Sequence, residues 1–378
     1  MTSRLSPNAS DRVSFEGDGE FLRTVRSRVH AALSGQQAAG DRRLQRKAAL
    51  ILVWFFGSFV LLLSVTSFWL QMALWFSYGL AASAVGFNIF HDANHGAMSG
   101  NRRTNLAVGS FAATILGASR YLWNYKHHTL HHRFTNIHGW DDDLETRGFL
   151  RITPHQEWKP RYRGQHLFVA ALYAVNAFEL VFIKDWVQYF TLRINEHQAI
   201  PALSRSEKIE FWAGKIIYLA VFVGLPLALL PLPNFLAGLV IYEVALGLSL
   251  ALVFSMAHQV ERVSFPSPNN ATNAIVGEWA AHQMHTTANF ATDHAGWNWY
   301  TGGLNHQIEH HLFPSMSHTH YAAIGAIVRR TGIEFGLPYH HFDTYGAALH
   351  SHYRHLRALS TEPQPLPQPL AVIVPAAL

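Results

Sequence analysis

The sequence holds no cysteine, little charge and none of the commonest metal-site signatures. With 0 Cys in 378 residues, disulfides, thiolate metal sites, iron–sulfur clusters held by this chain and cysteine nucleophiles are excluded. The absence carries no information on compartment. Asp, Glu, Lys and Arg make up 14% of the chain, well below the ~25% usual in soluble domains. Aromatic residues reach 13% and mean hydropathy is slightly positive, so the composition is that of a polytopic membrane protein with substantial polar regions. The formal net charge is +5. No basic run with interleaved aromatics accompanies it, which favours membrane orientation over nucleic acid as the use of the surplus. No His-Glu-x-x-His occurs, against a zinc hydrolase, and the paired Glu-x-x-His of soluble di-iron bundles is missing too.

What is present is hydrophobic length and histidine. From Ala48 to Phe90 no Asp, Glu, Lys or Arg occurs; since one crossing needs roughly 20 residues, the stretch predicts two spans, about 48–68 and 71–90, joined by a tight turn near Ser67 to Gln71. A second pair, about 213–231 and 235–257, breaks at Pro231-Leu-Pro-Asn234, and from Ile216 to Ala257 its one charge is Glu243. A carboxylate at that depth is either functional or turned into the bundle beside a polar partner. Residues 104–119 are uncharged but short, and Leu167 to Ile183 carries Asn176 and Glu179, so both are expected to lie in the interface or re-enter. The expected domains are an N-terminal segment over 1–46, without the apolar core of a cleaved signal peptide, a membrane domain over 47–361, and a Pro-rich, disordered tail over 362–378. Basic residues gather outside the short helix connections, and the positive-inside rule then puts both termini and the histidines in the cytosol.

The 25 histidines cluster beside the apolar segments. His91 and His95 stand four residues apart; His127, His128, His131 and His132 fall within six; Gln307, His310 and His311 share a turn and a half of helix between Gly302-Gly303 and Pro314. Residues three and four apart share a helix face, and neutral imidazole suits iron, copper and zinc. Some eight ligands exceed what one four- to six-coordinate ion can use, so two metal ions are the economical reading. Asp92, Asn94 and Glu309 could orient ligand imidazoles by accepting their second N–H. Asp141, Asp142 and Asp143 could do the same, meet a substrate headgroup, or form a solvated loop. His282 and His285 are further candidates, and His306 is an alternative to Gln307. His318, His320, His340, His341, His350, His352 and His355 have no metal-like context and are assigned to surface or core.

The motifs His91-Asp-Ala-Asn-His95, Lys126-His-His-Thr-Leu-His-His132 with Phe134-Thr-Asn136 and Gly139-Trp-Asp-Asp-Asp143, and Gln307-Ile-Glu-His-His-Leu-Phe-Pro314 closely resemble the three histidine boxes of integral-membrane fatty acid desaturases. The chain is most similar to the linoleoyl or delta-6 type, the front-end desaturases, whose third box begins with Gln. The resemblance runs from around Val13 to His320 and takes in Met256-Ala-His-Gln-Val-Glu261, Glu278-Trp-Ala-Ala-His-Gln283 and Thr286-Thr-Ala-Asn289. It implies an all-α membrane fold of four spans with interfacial helices and a cytosolic cap, a di-iron centre, and removal of two hydrogens from an acyl chain with O2 and two electrons. By resemblance His91, His95, His131, His132, His310 and His311 are ligands. His127 is the fourth of the second box, although the register His128-x-x-His-His fits a helix as well. His258 matches the extra ligand outside the boxes and could equally cap its helix; Gln307 is a weak oxygen donor.

Many front-end relatives carry a fused cytochrome b5 domain with a His-Pro-Gly-Gly motif, absent from these residues. Electrons are therefore expected from a separate ferredoxin or free cytochrome b5. The acyl group could ride on CoA, a carrier protein or a lipid. Hydroxylation, acetylenic bond formation and decarboxylation are alternative outcomes of the same chemistry. A metal transporter is the rival of another class; it would line a path across the membrane with ligands, whereas nearly all these histidines lie beyond the predicted helix ends.

Overall fold

The computed structural model describes residues 13–34, 42–195 and 198–363. Most of the Pro-rich tail, from 364 onward, lies outside them. Among the described residues, four helices are long and apolar enough to cross a bilayer: Arg42–Ser64, Phe68–Asn94, Arg205–Leu229 and Leu232–His258. At 23 to 27 residues and 1.5 Å rise, each reaches about 35–40 Å, more than the ~30 Å hydrocarbon core. The first and third helices begin ahead of their apolar stretches, because polar flanks also form helix. At the third, Ser204 and Glu207 close a reciprocal capping box. The second and fourth run on far enough to deliver His91 and His258 just past the apolar region.

The first two spans break at residues 65–67. There Gln71 donates to the Val65 carbonyl at 2.7 Å, and Asn234 donates to the Gln71 side chain at 2.8 Å, tying the two short connections together. The second and fourth spans pack most extensively. Small residues allow this approach: a Cβ on Gly79 would stand 2.7 Å from the Tyr242 carbonyl, and one on Gly238 would enter the Trp75 ring. Phe55, Phe59, Trp75, Tyr78, Phe222 and Tyr242 fill the bundle, while Leu50, Val53, Val60, Ile216 and Val240 are exposed on its outside, as lipid contact requires. Glu243 is buried in the bundle beside Tyr218 and Tyr242, roughly four helical turns from His258 and thus outside the site.

The helix Arg102–Leu116 is about 22 Å long, too short to cross, and the histidines on either side of it converge on one cluster. Gln165–Ala174 and Asn176–Thr191 form an apolar pair bent by 54° at their junction, packed along the fourth span. A buried ion pair locks this layer to the third span. Lys215 Nζ donates to Asp185 at 2.9 Å and to the Gly117 and Val181 carbonyls at 2.6 and 2.8 Å, and Asp185 also accepts from the Ser119 amide. Lys215→Met is expected to cost about 3–5 kcal/mol by stranding the Asp185 carboxylate, read as a lowered unfolding midpoint in detergent; adding Asp185→Leu should recover most of the loss.

Residues 259–363 fold into a cap with the N-terminal helix Glu20–Ala32, whose Phe21, Val25 and Val29 pack on Ile308, Ile324 and Val328. Strand Ser14–Phe15 pairs in parallel with Ala274–Ile275, and Ala288–Phe290 with His340–Phe342. All else that is regular among the described residues is helical. The cap holds the third histidine box against the ends of the second and fourth spans. Gly302, at φ 63°, permits this: a Cβ there would stand 2.7 Å from the Phe87 carbonyl.

Candidate metal centre

The site is assembled from four places in the chain, and two of them leave regular α-helix on the way. The second span widens into a π-helical turn at Gly86–Phe90 immediately before His91, where Asn88 donates to the Ala84 and Tyr300 carbonyls, both at 2.9 Å. The second box is itself a π-helix over Tyr125–His131. Such turns concentrate at functional sites, and here the reason is geometric. In α-helix, His127 would share a face with His131; in the wider turn it meets His132, with Nε2 atoms 3.1 Å apart, while the His131 ring still lies along that of His127 and its ligand nitrogen joins the other group.

Two groups of histidines result. The ligand nitrogens of His91, His95, His127 and His310 lie within 4.8 Å of one another, as do those of His131, His258 and His311. His132 joins them: its Nε2 is 2.9 Å from that of His310, and its ring stacks on His311 with centroids 4.4 Å apart. Nε2 atoms 2.9 and 3.1 Å apart, those of His132 with His310 and with His127, are close enough for each pair to share one ion at the usual metal–imidazole distance of about 2.0–2.1 Å. Gln307 is buried and lies against His258. His128 lies with its ring tilted against that of His95, 4.4 Å between centroids, and is less buried than His127.

The outer nitrogens are anchored. His131 Nδ1 meets Asp141 at 3.1 and 3.2 Å, His311 Nδ1 donates to the Gln283 side-chain oxygen at 2.7 Å, His310 Nδ1 pairs with the Tyr321 hydroxyl at 3.1 Å, and His258 Nδ1 faces the Thr286 carbonyl at 3.3 Å. Such bonds put the proton on Nδ1 and turn the Nε2 lone pair inward. Several inward nitrogens, His91 Nε2, His95 Nε2, His258 Nε2 and His311 Nε2, are buried with no hydrogen-bond partner. Buried polar atoms are rarely left so, and converging neutral imidazole lone pairs are the donor set a metal takes. The residues present fit a metal site.

Electrostatics agree. Burial, and then the surrounding imidazoles, hold His95, His127, His132, His310 and His311 well below the usual imidazole range, keeping them in the neutral form that ligation needs. His131 differs. Burial alone would lower it, but the Asp141 and Asp143 carboxylates prevail and push it up to about 9. Asp141 also accepts from the Asn136 and Asp143 amides, at 2.8 and 3.1 Å, so it is a fixed acceptor. Asp141→Asn is expected to weaken metal binding 10–100-fold, measured by competition with a chromophoric chelator.

The remaining candidates lie behind the two groups or outside them. Asp92 lies 3.7 Å from His91 Nδ1 and is held by His318 at 2.7 Å. Asn94 donates to the Phe90 carbonyl of its own helix. Glu309 points away from the cluster, accepting from Asn289 at 2.7 Å and Tyr339 at 2.9 Å; burial pushes it up to about 7. His306 sits 3.8 Å from Glu309, outside both groups. His282 Nε2 bonds the Thr135 carbonyl at 2.9 Å and steadies the turn after the second box, and His285 lies outside both groups.

Sequence reasoning missed Gln283, Thr135, Tyr321 and His318. Thr135 donates to Gln283 at 2.9 Å and braces it under His311. His318, expected at the surface or in the core, links Asp92 to Lys47, 2.9 Å from its other nitrogen. Gln283 lay in view within Glu278-Trp-Ala-Ala-His-Gln283; no sequence signal connects His318 to Asp92, 226 residues away.

A cavity of about 780 Å³ runs from the cluster into the bundle, within the ~300–1,000 Å³ of small-molecule sites. His91, His127 and His258 form one wall; Ala82, Phe87, Leu246 and Leu250 line its apolar depth, and Arg147, Glu179 and Lys184 its polar mouth. The sequence model of the fatty acid desaturase family matches residues 67–343, spanning all three boxes.

The chain belongs to the fatty acid desaturase family. It is thus an oxidoreductase acting on a fatty acyl substrate. This desaturase is 34% identical over 354 residues to the sn-1 linoleoyl-lipid 6-desaturase of Synechocystis sp., covering 93% of the chain and 98% of the relative. The sn-1 linoleoyl-lipid 6-desaturase of Arthrospira platensis is 32% identical over 369 residues, 96% and 98% of the two chains. An acyl-lipid (8-3)-desaturase of Mortierella alpina is 36% identical over 298 residues, 78% of this desaturase and 66% of the relative.

Proposed function

We propose that this desaturase inserts a double bond on the carboxyl side of an unsaturated, lipid-linked C18 acyl chain of the linoleoyl type, as the 6-desaturase relatives are named for doing. The observation that carries the reading is the shared wall: His91, His127 and His258 belong to the histidine groups and also line the apolar cavity.

Two iron ions are the proposed occupants, one per group, with His91, His95, His127 and His310 around the first, His131, His258 and His311 around the second, and His132 and Gln307 completing the set. When bound, they supply the oxidation, in which O2, two electrons and two protons become two waters as two hydrogens leave adjacent carbons. The chain's own residues do the rest. Asp141, Gln283 and Tyr321 hold the imidazoles in position. The apolar walls bind methylenes at about 0.8 kcal/mol each, keep water from the reacting carbons and fix which carbon pair lies beside the cluster. A separate ferredoxin or free cytochrome b5 is the proposed electron donor. The site and both termini face the cytosol in this reading, and 47–361 form the desaturase domain between an N-terminal segment and a Pro-rich tail.

The test is the fatty acid profile of a host expressing the protein, by gas chromatography and mass spectrometry with linoleate supplied. A new double bond between the carboxyl group and the existing ones supports the proposal. Hydroxylated, acetylenic or shortened products would replace it with another oxidation.

A further inference from the structure

Lys126 stands in the wall of the cavity, one residue from His127 and within the field of Lys184 and Asp142 toward its polar mouth, without an ion-pair partner among the described residues. Its side chain is buried at 8% exposure and lines the cavity beside His91 and His127. The other cations of this wall are paired, Arg147 with Glu179 at 3.0 Å and Lys184 with Asp142 at 2.9 Å. Lys126 makes no hydrogen bond or ion pair among the described residues. The carboxylates that act on it do so from beyond ion-pair distance, and each is engaged elsewhere: Asp142 by Lys184, Asp143 by His131 at 3.2 Å, Asp185 by Lys215. A buried ammonium without an acceptor is costly, and only the cavity's contents remain to supply one.

We propose that Lys126 donates a hydrogen bond to the carbonyl oxygen at the carboxyl end of the bound acyl group and thereby sets the double-bond position by counting from that end. The inference rests on the acyl-lipid reading above and deepens it. Lys126 immediately precedes His127, so a carbonyl held there places methylenes only a few bonds along the chain next to the histidines. The remainder of the acyl chain then runs toward Leu250, Leu246 and Ala82, in the apolar part of the lining. A headgroup phosphate has the same acceptor chemistry, but a phosphate at Lys126 would bring the glycerol backbone, not the methylenes, to the histidines.

The test uses the full-length, metal-loaded protein and native mass spectrometry with two probes, a dilinoleoyl glycerophospholipid and its diether analogue, which keeps the phosphate and lacks the carbonyls. Wild type is expected to bind the ester about tenfold more tightly, and Lys126→Met to bind both alike with unchanged metal content, while Lys126→Arg restores the preference. In product analysis Lys126→Met should spread the double bond over neighbouring positions. The assignment is overturned if Lys126→Met keeps the ester preference, if wild type binds ester and ether equally, or if Lys126→Met loses metal, which would make Lys126 a structural part of the π-helical turn. A wild type that forms no double bond overturns the reaction itself, a result separate from the ester preference.

Discussion

His310→Ala is expected to leave the protein inserted in the membrane while double-bond formation falls by about 10³-fold or more and bound metal drops. His310 contributes one of the four nitrogens of the first histidine group, its Nε2 is 2.9 Å from His132 and its Nδ1 is held by Tyr321. Alanine removes the donor and leaves that hydroxyl without its partner. Bound metal would supply the oxidation itself and take at least several kcal/mol off the barrier, about 10³-fold in rate, so losing it is not a graded effect. His350, exposed at the end of the cap, is the control, and His350→Ala should leave metal and product unchanged. Metal analysis of the purified variant, alongside the host's fatty acid profile, checks both halves; normal turnover by His310→Ala would remove the basis for the metal assignment.

His258→Ala is the second large effect, and it separates two roles for a histidine at the end of a membrane helix. A C-terminal cap contributes about 0.3–1 kcal/mol of stability and nothing to the reaction. The structure instead buries His258 at 4% exposure, leaves its Nε2 without a hydrogen bond, and sets it within 4.8 Å of the ligand nitrogens of His131 and His311. Loss of about one of two metals per chain, with activity abolished and thermal stability little changed before metal loading, is the expected result. Full metal content with full activity would return His258 to the role of a cap.

The membrane fold was open to reading because its signal is local. An uncharged run from Ala48 to Phe90 has nowhere to go but an apolar phase, since backbone polar groups must be satisfied within the segment. The histidine boxes were open for the same reason, each being a cluster within six residues. The π-helical turns were not. A four-residue spacing reads as one α-helical face, yet Tyr125–His131 is wound more widely and sends His127 and His131 to different groups. What selects the wider turn is convergence with His91, His258 and the third box, which no local propensity encodes.

By itself the sequence determined the apolar spans, the residue types able to bind metal, and through its motifs the family. Tertiary structure alone decided the division of seven histidines into two groups with His132 against both, the hydrogen bonds of Gln283, Tyr321 and His318 behind them, the outward turn of Glu309, and the place of Lys126 in the cavity wall. The physical reason is range. Hydrophobic burial and helix periodicity act on neighbours within a turn or two, whereas ligand geometry and charge pairing depend on distances between segments as far apart as Asp92 and His318, set only when the whole chain has packed.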